Sequence, residues 1–489
     1  MVNVAVVNPP SMDGYVNRDL MSGLGVKNYS KRNFMDGFIS HVKSFSRRLP
    51  VMSLIYSATV LSEKHNVKVI DAGNMGMTEE QLEVELKAFS PDFIIFASSI
   101  SNLPDEVRLL DKLKLVTGAK TVIIGDATAE FGAIIMRESK VDFVIGGEPE
   151  VSLERLINGV SPETVDGITM RGVNGIFQSK QEPIDDLDSL PFPNWGLFPF
   201  KNYGYYPILK NKPFVSILST RGCPYGCTYC PYTTFMGRQW RMRKAENVVK
   251  EIQYIQESFG IKSALFRDPT FTMLKKHAVG ICEGIKQNKI DIEWACETRL
   301  DCLDENLIDL MAGAGCVGIN CGIESADPKV LSNVMRKVIP EAHIRKMLRR
   351  MKDNGIKSSG FFILGLPGES MESLEKTIEL ALSLDLSYAD FKVATPFPGT
   401  PLYELCIKNG WIRRLESLKD LPKFTSYDFH MQYDDKRISK EFIESKCGEA
   451  FKRFYGRPGL MATKLIGGDL INRTVFESGL VYLKSLITL

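Results

Sequence analysis

The chain has 489 residues, too many for one compact core, so at least two domains are expected. Its 44% hydrophobic and 25% charged residues exclude a disordered or fibrous protein, and 61 basic against 59 acidic residues exclude nucleic-acid recognition by bulk charge. A small-molecule or lipid substrate is the default, and no nucleic-acid partner is expected. The start lacks the basic region of a secretion signal, and no apolar run approaches the ~20 residues of a transmembrane segment, so a cytoplasmic protein is expected. Of ten cysteines, none precedes Cys223 and three fall at Cys223, Cys227 and Cys230, which suits a metal centre in a reducing compartment better than a disulfide framework.

Residues 2–7 read as a strand and 51–64 as a helix. Further strands are expected at 67–70, 92–97, 120–125 and 142–146, each followed by helical periodicity. Five such units predict an α/β domain over 1–158, a doubly wound, flavodoxin-like parallel sheet that binds ligands outside the carboxyl ends of its strands. The loops there are Pro9-Pro10-Ser11, Ser98-Ser99, Gly125-Asp126 and Gly146-Gly147-Glu148, all small and backbone-exposing.

Residues 159–212, rich in Pro, Asp and aromatics, read as a linker packed across the domain interface, its tyrosines serving as packing residues. Six more strands, at 214–219, 263–268, 292–298, 317–323, 359–364 and 389–394, predict a partial (β/α)6 TIM-like barrel over 213–408, with reactive groups on the loops after its strands. Residues 409–489 form a small, mostly helical accessory region. Its amphipathic stretch around Leu470, Val475, Phe476, Leu480, Val481 and Leu483 fits packing on the barrel, or contact with a lipid-like substrate or a membrane surface.

Cys223, Cys227 and Cys230 lie on a Pro- and Gly-punctuated loop directly after the first barrel strand. Structural zinc would ask for a fourth protein ligand close by. A [4Fe–4S] cubane held by three thiolates leaves one iron open to a small molecule, which S-adenosylmethionine (SAM) can chelate through its amino and carboxylate groups. The other cysteines, Cys282, Cys296, Cys302, Cys316, Cys321, Cys406 and Cys447, read as small core residues, and no histidine is assigned a metal. In the strand ending at Glu324, residues Asn320, Gly322 and Glu324 share one small, polar face that suits a barrel lumen. Arg267 and Asp268, after the second barrel strand, are candidate substrate contacts.

Cys223-x3-Cys227-x2-Cys230 with aromatic Tyr229 resembles the signature of the radical SAM superfamily. Phe266-Arg267-Asp268, Glu297-Thr298-Arg299, Gly322-Ile323-Glu324-Ser325, the run from Gly360 to Glu369 and the run from Pro396 to Tyr403 resemble the family's successive strand ends. The resemblance implies reductive cleavage of SAM to a 5′-deoxyadenosyl radical, fed by an electron donor such as flavodoxin or ferredoxin. It implies Tyr229 against adenine, Glu297, Arg299, Glu324 and Ser325 at the methionyl carboxylate or ribose, and Gly365 with Leu366 flanking adenine. A plain ion pair between Glu297 and Arg299 is the alternative for those two.

Residues 1–158 resemble the cobalamin-binding domain of B12-dependent radical SAM enzymes, with Gly146-Gly147-Glu148-Pro149-Glu150 the clearest local match. The resemblance implies a corrinoid near Ser98, Ser99, Gly125, Gly146, Gly147 and Glu148, bound without a lower axial histidine because no Asp-x-His-x-x-Gly is present. Asp126 departs from the second glycine usual there, which leaves an empty domain as the other reading. The implied activity is cobalamin-dependent methylation of an unactivated carbon on a lipid, tetrapyrrole or secondary metabolite. Alternatives are ring formation or redox chemistry without net methylation, as in the anaerobic porphyrin cyclases, and tRNA methylthiolation, which the absence of cysteines before Cys223 disfavours.

Overall fold

The computed structural model describes residues 1–10, 16–17, 26–27, 47–100, 102–125, 128–335, 338–424 and 438–460. Seven strands form the first sheet: β1 (Asn3–Asn8), β2 (Asn66–Asp71), β3 (Phe93–Ala97), β4 (Lys120–Ile124), β5 (Phe143–Ile145), β6 (Ile168–Gly172) and β7 (Gly175–Gln178). Their order is β7-β6-β5-β4-β3-β1-β2. The first five are parallel, in the flavodoxin-like arrangement expected from five βα units. The central ones are buried on both faces, which is why they read as unbroken apolar runs. Parity divides β1 between two cores, Val4 and Val6 facing the barrel side and Ala5 and Val7 the other.

The segment read as a linker holds a surprise. β6 and β7 form a hairpin that extends the sheet antiparallel to β5, so this sheet runs past residue 158 to Gln178. Only the first three residues of β6 are buried, and β7 is largely exposed, so neither carries a usable hydrophobic period. The rest of the linker is core. Trp195, Phe198, Tyr203, Tyr205, Ile208 and Leu209 join both sheets in one apolar cluster, and the helix Met52–Ser62 is buried along nearly its whole length beside them.

The second sheet has six parallel strands in chain order: β8 (Val215–Ile217), β9 (Ser263–Phe266), β10 (Glu293–Thr298), β11 (Cys316–Glu324), β12 (Lys357–Leu364) and β13 (Tyr388–Val393). β8 and β13 are its two edges, so the barrel is partial, as expected. The edge at β13 is covered by the helix Lys440–Tyr455, where the Tyr455 hydroxyl accepts from Ala389 N at 3.2 Å and donates to Ala389 O at 3.0 Å. A side chain thus satisfies a strand edge that could otherwise recruit another chain.

Residues 203–211 cross the amino ends of the barrel strands. Asn320 donates to the Tyr205 hydroxyl at 2.9 Å, Lys357 Nζ to Pro207 O at 2.6 Å, and Lys210 N to Glu293 Oε1 at 2.6 Å. Gly318 is open to this segment because a Cβ there would lie 2.3 Å from Ile208 Cγ2. No helix among the described residues is long and apolar enough to cross a membrane. The amphipathic stretch at 470–483, Ser11 and Asp126 lie outside the described residues.

Candidate active site

Thr220–Arg221 and Arg241–Met242 pair as a short antiparallel ribbon, and residues 222–240 form the loop between its arms. Gly222 has φ +78°, and a Cβ there would lie 2.0 Å from Gln239 O, so only glycine lets the arms close. Thr228 pins the loop, its N donating to Val334 O and its O accepting from Leu402 N, both at 2.9 Å. Cys227 and Tyr229 pack on the apolar cluster of Val330, Leu331, Val334, Leu366 and Leu402.

Cys223, Cys227 and Cys230 are unbridged and partly buried. Burial pushes the Cys227 thiol up to about 11 against the pull of Arg299, and Cys230 up to about 12. The neighbouring thiols push the same way, so the three sit within electrostatic reach of one another. Such thiols ionise when a metal takes the place of their protons, so the donor set fits a soft metal centre. Among the described residues no three His, Cys, Asp or Glu side chains are grouped to hold a single ion. A cubane asks for something different, three thiolates each on its own iron.

Arg299 supplies the nearby positive charge: Nη1 lies 4.0 Å from Cys227 Sγ, Cζ 4.0 Å over the Tyr225 ring, and Nε 3.0 Å from Asp301 Oδ1. Glu297 accepts from Arg267 Nη1 at 2.5 Å. Glu297 and Arg299 therefore have different partners, which corrects the alternative that they pair with each other. The Tyr229 hydroxyl donates to Glu324 Oε1 at 2.8 Å. Glu324 follows a bulge in β11 and takes φ +67°, a costly conformation for a residue with a side chain. Simple parity ends at that bulge, yet the carboxylate swings back over Gly322, where a Cβ would lie 2.4 Å from Glu324 Oε1. Burial raises the Glu324 carboxyl to about 7 against its bond from Tyr229.

Glu369 had no expected role. Its Oε2 accepts from Gly365 N at 2.6 Å and Leu366 N at 3.1 Å, and its Oε1 from Ser325 Oγ at 3.3 Å. It therefore fixes the Gly365–Leu366 turn and gives the Ser325 hydroxyl a protein partner. The signal was a Glu four residues past a strand-end glycine, able to cap the turn's backbone N–H groups. Asp268, expected at substrate, is fully buried: its Oδ1 accepts from Ser219 N, Ser219 Oγ and Thr220 Oγ1, anchoring the arm that leads to the cysteines. Arg267 is likewise buried, against Glu297. Six outlying cysteines are buried as expected, but Cys302 is only partly so, its Sγ 3.3 Å from the Tyr225 hydroxyl beside the cysteine loop.

At the carboxyl end of β3 the first sheet presents Ser98 Oγ, Ser99 Oγ and Asn102 Nδ2, all buried with no hydrogen-bond partner. Gly125, after β4, has φ +112°, and a Cβ there would lie 2.7 Å from Ser98 O. Orphaned buried polar atoms beside a close-packed glycine turn fit a polar ligand such as a corrinoid. Gly146, Gly147 and Glu148 have other partners: Gly146 N bonds Gly167 O, the Gln181 side chain fills the space a Gly147 Cβ would need, and Glu148 is paired with arginines.

Residues 217–381 match the Radical SAM superfamily. Over 439 residues the chain is 30% identical to an uncharacterized methyltransferase of Pyrococcus horikoshii, PH0819, covering 87% of this chain and 92% of that one. This chain belongs to the radical SAM superfamily. The radical SAM enzyme is also 29% identical over 399 residues to cytidylyl-2-hydroxyethylphosphonate methyltransferase of Streptomyces wedmorensis, covering 72% of this chain and 74% of that one. Its fold is similar to that of the radical SAM methyltransferase TsrM from Kitasatospora setae, solved with cobalamin and a [4Fe–4S] cluster bound. The TM-score is 0.68 over 94% of this chain and 89% of that one, at 15% identity.

Proposed function

We propose that this radical SAM enzyme is a cobalamin-dependent methyltransferase acting on an unactivated carbon of a lipid, tetrapyrrole or secondary metabolite. The observation that carries the reading is the set of unpartnered buried atoms at Ser98, Ser99 and Asn102, on a flavodoxin-like sheet packed against the barrel that bears the cysteines. The methyltransferase names of the similar chains support it.

Cys223, Cys227 and Cys230 would hold the cluster, and Ser98, Ser99 and Asn102 the polar groups of the corrinoid. When bound, the cluster supplies the electron that splits SAM, and cobalamin carries the methyl group. Arg299 offsets negative charge beside Cys227, and Tyr229 holds Glu324 where it can accept from SAM's amine or ribose hydroxyls. Glu369 keeps the Gly365–Leu366 turn rigid as a wall against adenine. The stoppered amino end of the barrel helps keep water from the radical.

Anaerobic purification with cobalamin supplied, followed by incubation with SAM and a reductant, tests this. Corrinoid absorption and 5′-deoxyadenosine are both expected. Corrinoid-free protein would overturn methyl transfer by this route. A product that gains no carbon would favour ring formation or redox chemistry.

A further inference from the structure

Two arginines face each other in register across the base of the cysteine loop, Arg221 on one arm and Arg241 on the other. Like charges paired in this way repel, so the ribbon on its own would tend to open. The first sheet supplies what closes it. Glu148 and Glu150 flank Pro149 at the start of the helix Pro149–Ile157, just past the end of β5. Arg221 Nη2 donates to Glu150 Oε1 at 2.7 Å, and its Nη1 to Glu148 Oε2 at 3.1 Å and Glu150 Oε2 at 3.3 Å. Arg241 forks onto both oxygens of Glu148, with Nη1 at 3.0 Å from Oε2. All four side chains are buried, and their formal charges cancel.

We propose that Glu148, Glu150, Arg221 and Arg241 are positioning residues that fix the cysteine loop relative to the first sheet, and so set the separation of cluster and corrinoid. The inference rests on the methyl-transfer reading and deepens it. Three features support it. Arg221 is two residues from Cys223, so little chain separates the ion pair from the first thiol. The same arm is held from the barrel side by Asp268, through Ser219 and Thr220. Forked contacts fix orientation as well as distance, which one point charge on a flexible stem cannot do. The Gly146–Glu150 segment thereby serves the cluster side of the molecule, while the orphaned atoms of β3 remain for the corrinoid.

The test uses the full-length protein, reconstituted with iron and sulfide, loaded with cobalamin and reduced so that cluster and cobalt each carry an unpaired electron. Pulsed electron paramagnetic resonance then reads the spin–spin coupling between them. Wild type is expected to give one defined coupling. Glu150→Gln is expected to keep its iron, its corrinoid absorption and 5′-deoxyadenosine formation, but to give a broadened coupling shifted to longer separation. If Glu150→Gln takes up no iron, Arg241→Lys, which keeps the charge and loses only the fork, is judged by the same readout. A wild-type protein that binds no corrinoid overturns the methyl-transfer reading and this inference together. A resolved wild-type coupling left unchanged in the variant overturns this inference alone.

Discussion

Both sheets present polar groups where their strands end, but they satisfy them differently. Around the cysteines the barrel pairs its own side chains, Arg299 with Asp301, Arg267 with Glu297 and Tyr229 with Glu324, and Glu369 caps a backbone turn. At the end of β3, Ser98, Ser99 and Asn102 keep buried polar atoms without a protein partner. Leaving such atoms unmade costs about 1–3 kcal/mol each, a cost that a bound ligand can repay. The barrel end is therefore mostly preorganised by the chain itself, although Asp268 Oδ2 there is also buried without a partner, and on the proposed reading a ligand completes the other end.

That contrast can be broken or sharpened by substitution. Cys227→Ala should abolish iron uptake and 5′-deoxyadenosine formation, read by iron and sulfide analysis and by mass spectrometry, while cobalamin still binds the other end. Loss of cobalamin as well would show the two ends to be one site.

Glu369 probes how tightly the barrel end is built. Burial raises its carboxyl to about 7 from an ordinary value near 4.5, so the native state keeps a proton that the unfolded chain has already shed. The stability this adds is complete below about pH 4.5 and is lost as pH rises through about 7, roughly 3 kcal/mol in all. Glu369→Gln should flatten that slope in urea melts of the apo chain on either side of this window. Parallel slopes for the two proteins would refute it.

Gly125→Val tests the other end. Its Cβ would collide with Ser98 O at a φ of +112°, so corrinoid affinity should fall by roughly tenfold, about 1.4 kcal/mol, with iron content unchanged. Spectral titration measures it. The smallest effect is far from both ends: Tyr455→Phe removes the cap on Ala389 and should cost about 1 kcal/mol in thermal unfolding.

Regular strands and the cysteine triad were legible in sequence because each is a local pattern. β1, β3 and β4 announce themselves as apolar runs, and the six barrel strands lie within a few residues of where alternation places them. The β6–β7 hairpin escaped because half-exposed short strands carry little period. The fates of Asp268, Ser325 and Glu148 escaped for another reason. A carboxylate or hydroxyl at a strand end looks the same in sequence whether it faces a ligand or a neighbouring loop. Only distant partners, Ser219 for Asp268, Glu369 for Ser325 and two arginines for Glu148, decide which.

Because residues 203–211 bridge the amino ends of the barrel strands, that segment gives the barrel a floor on the side away from the cysteine loop.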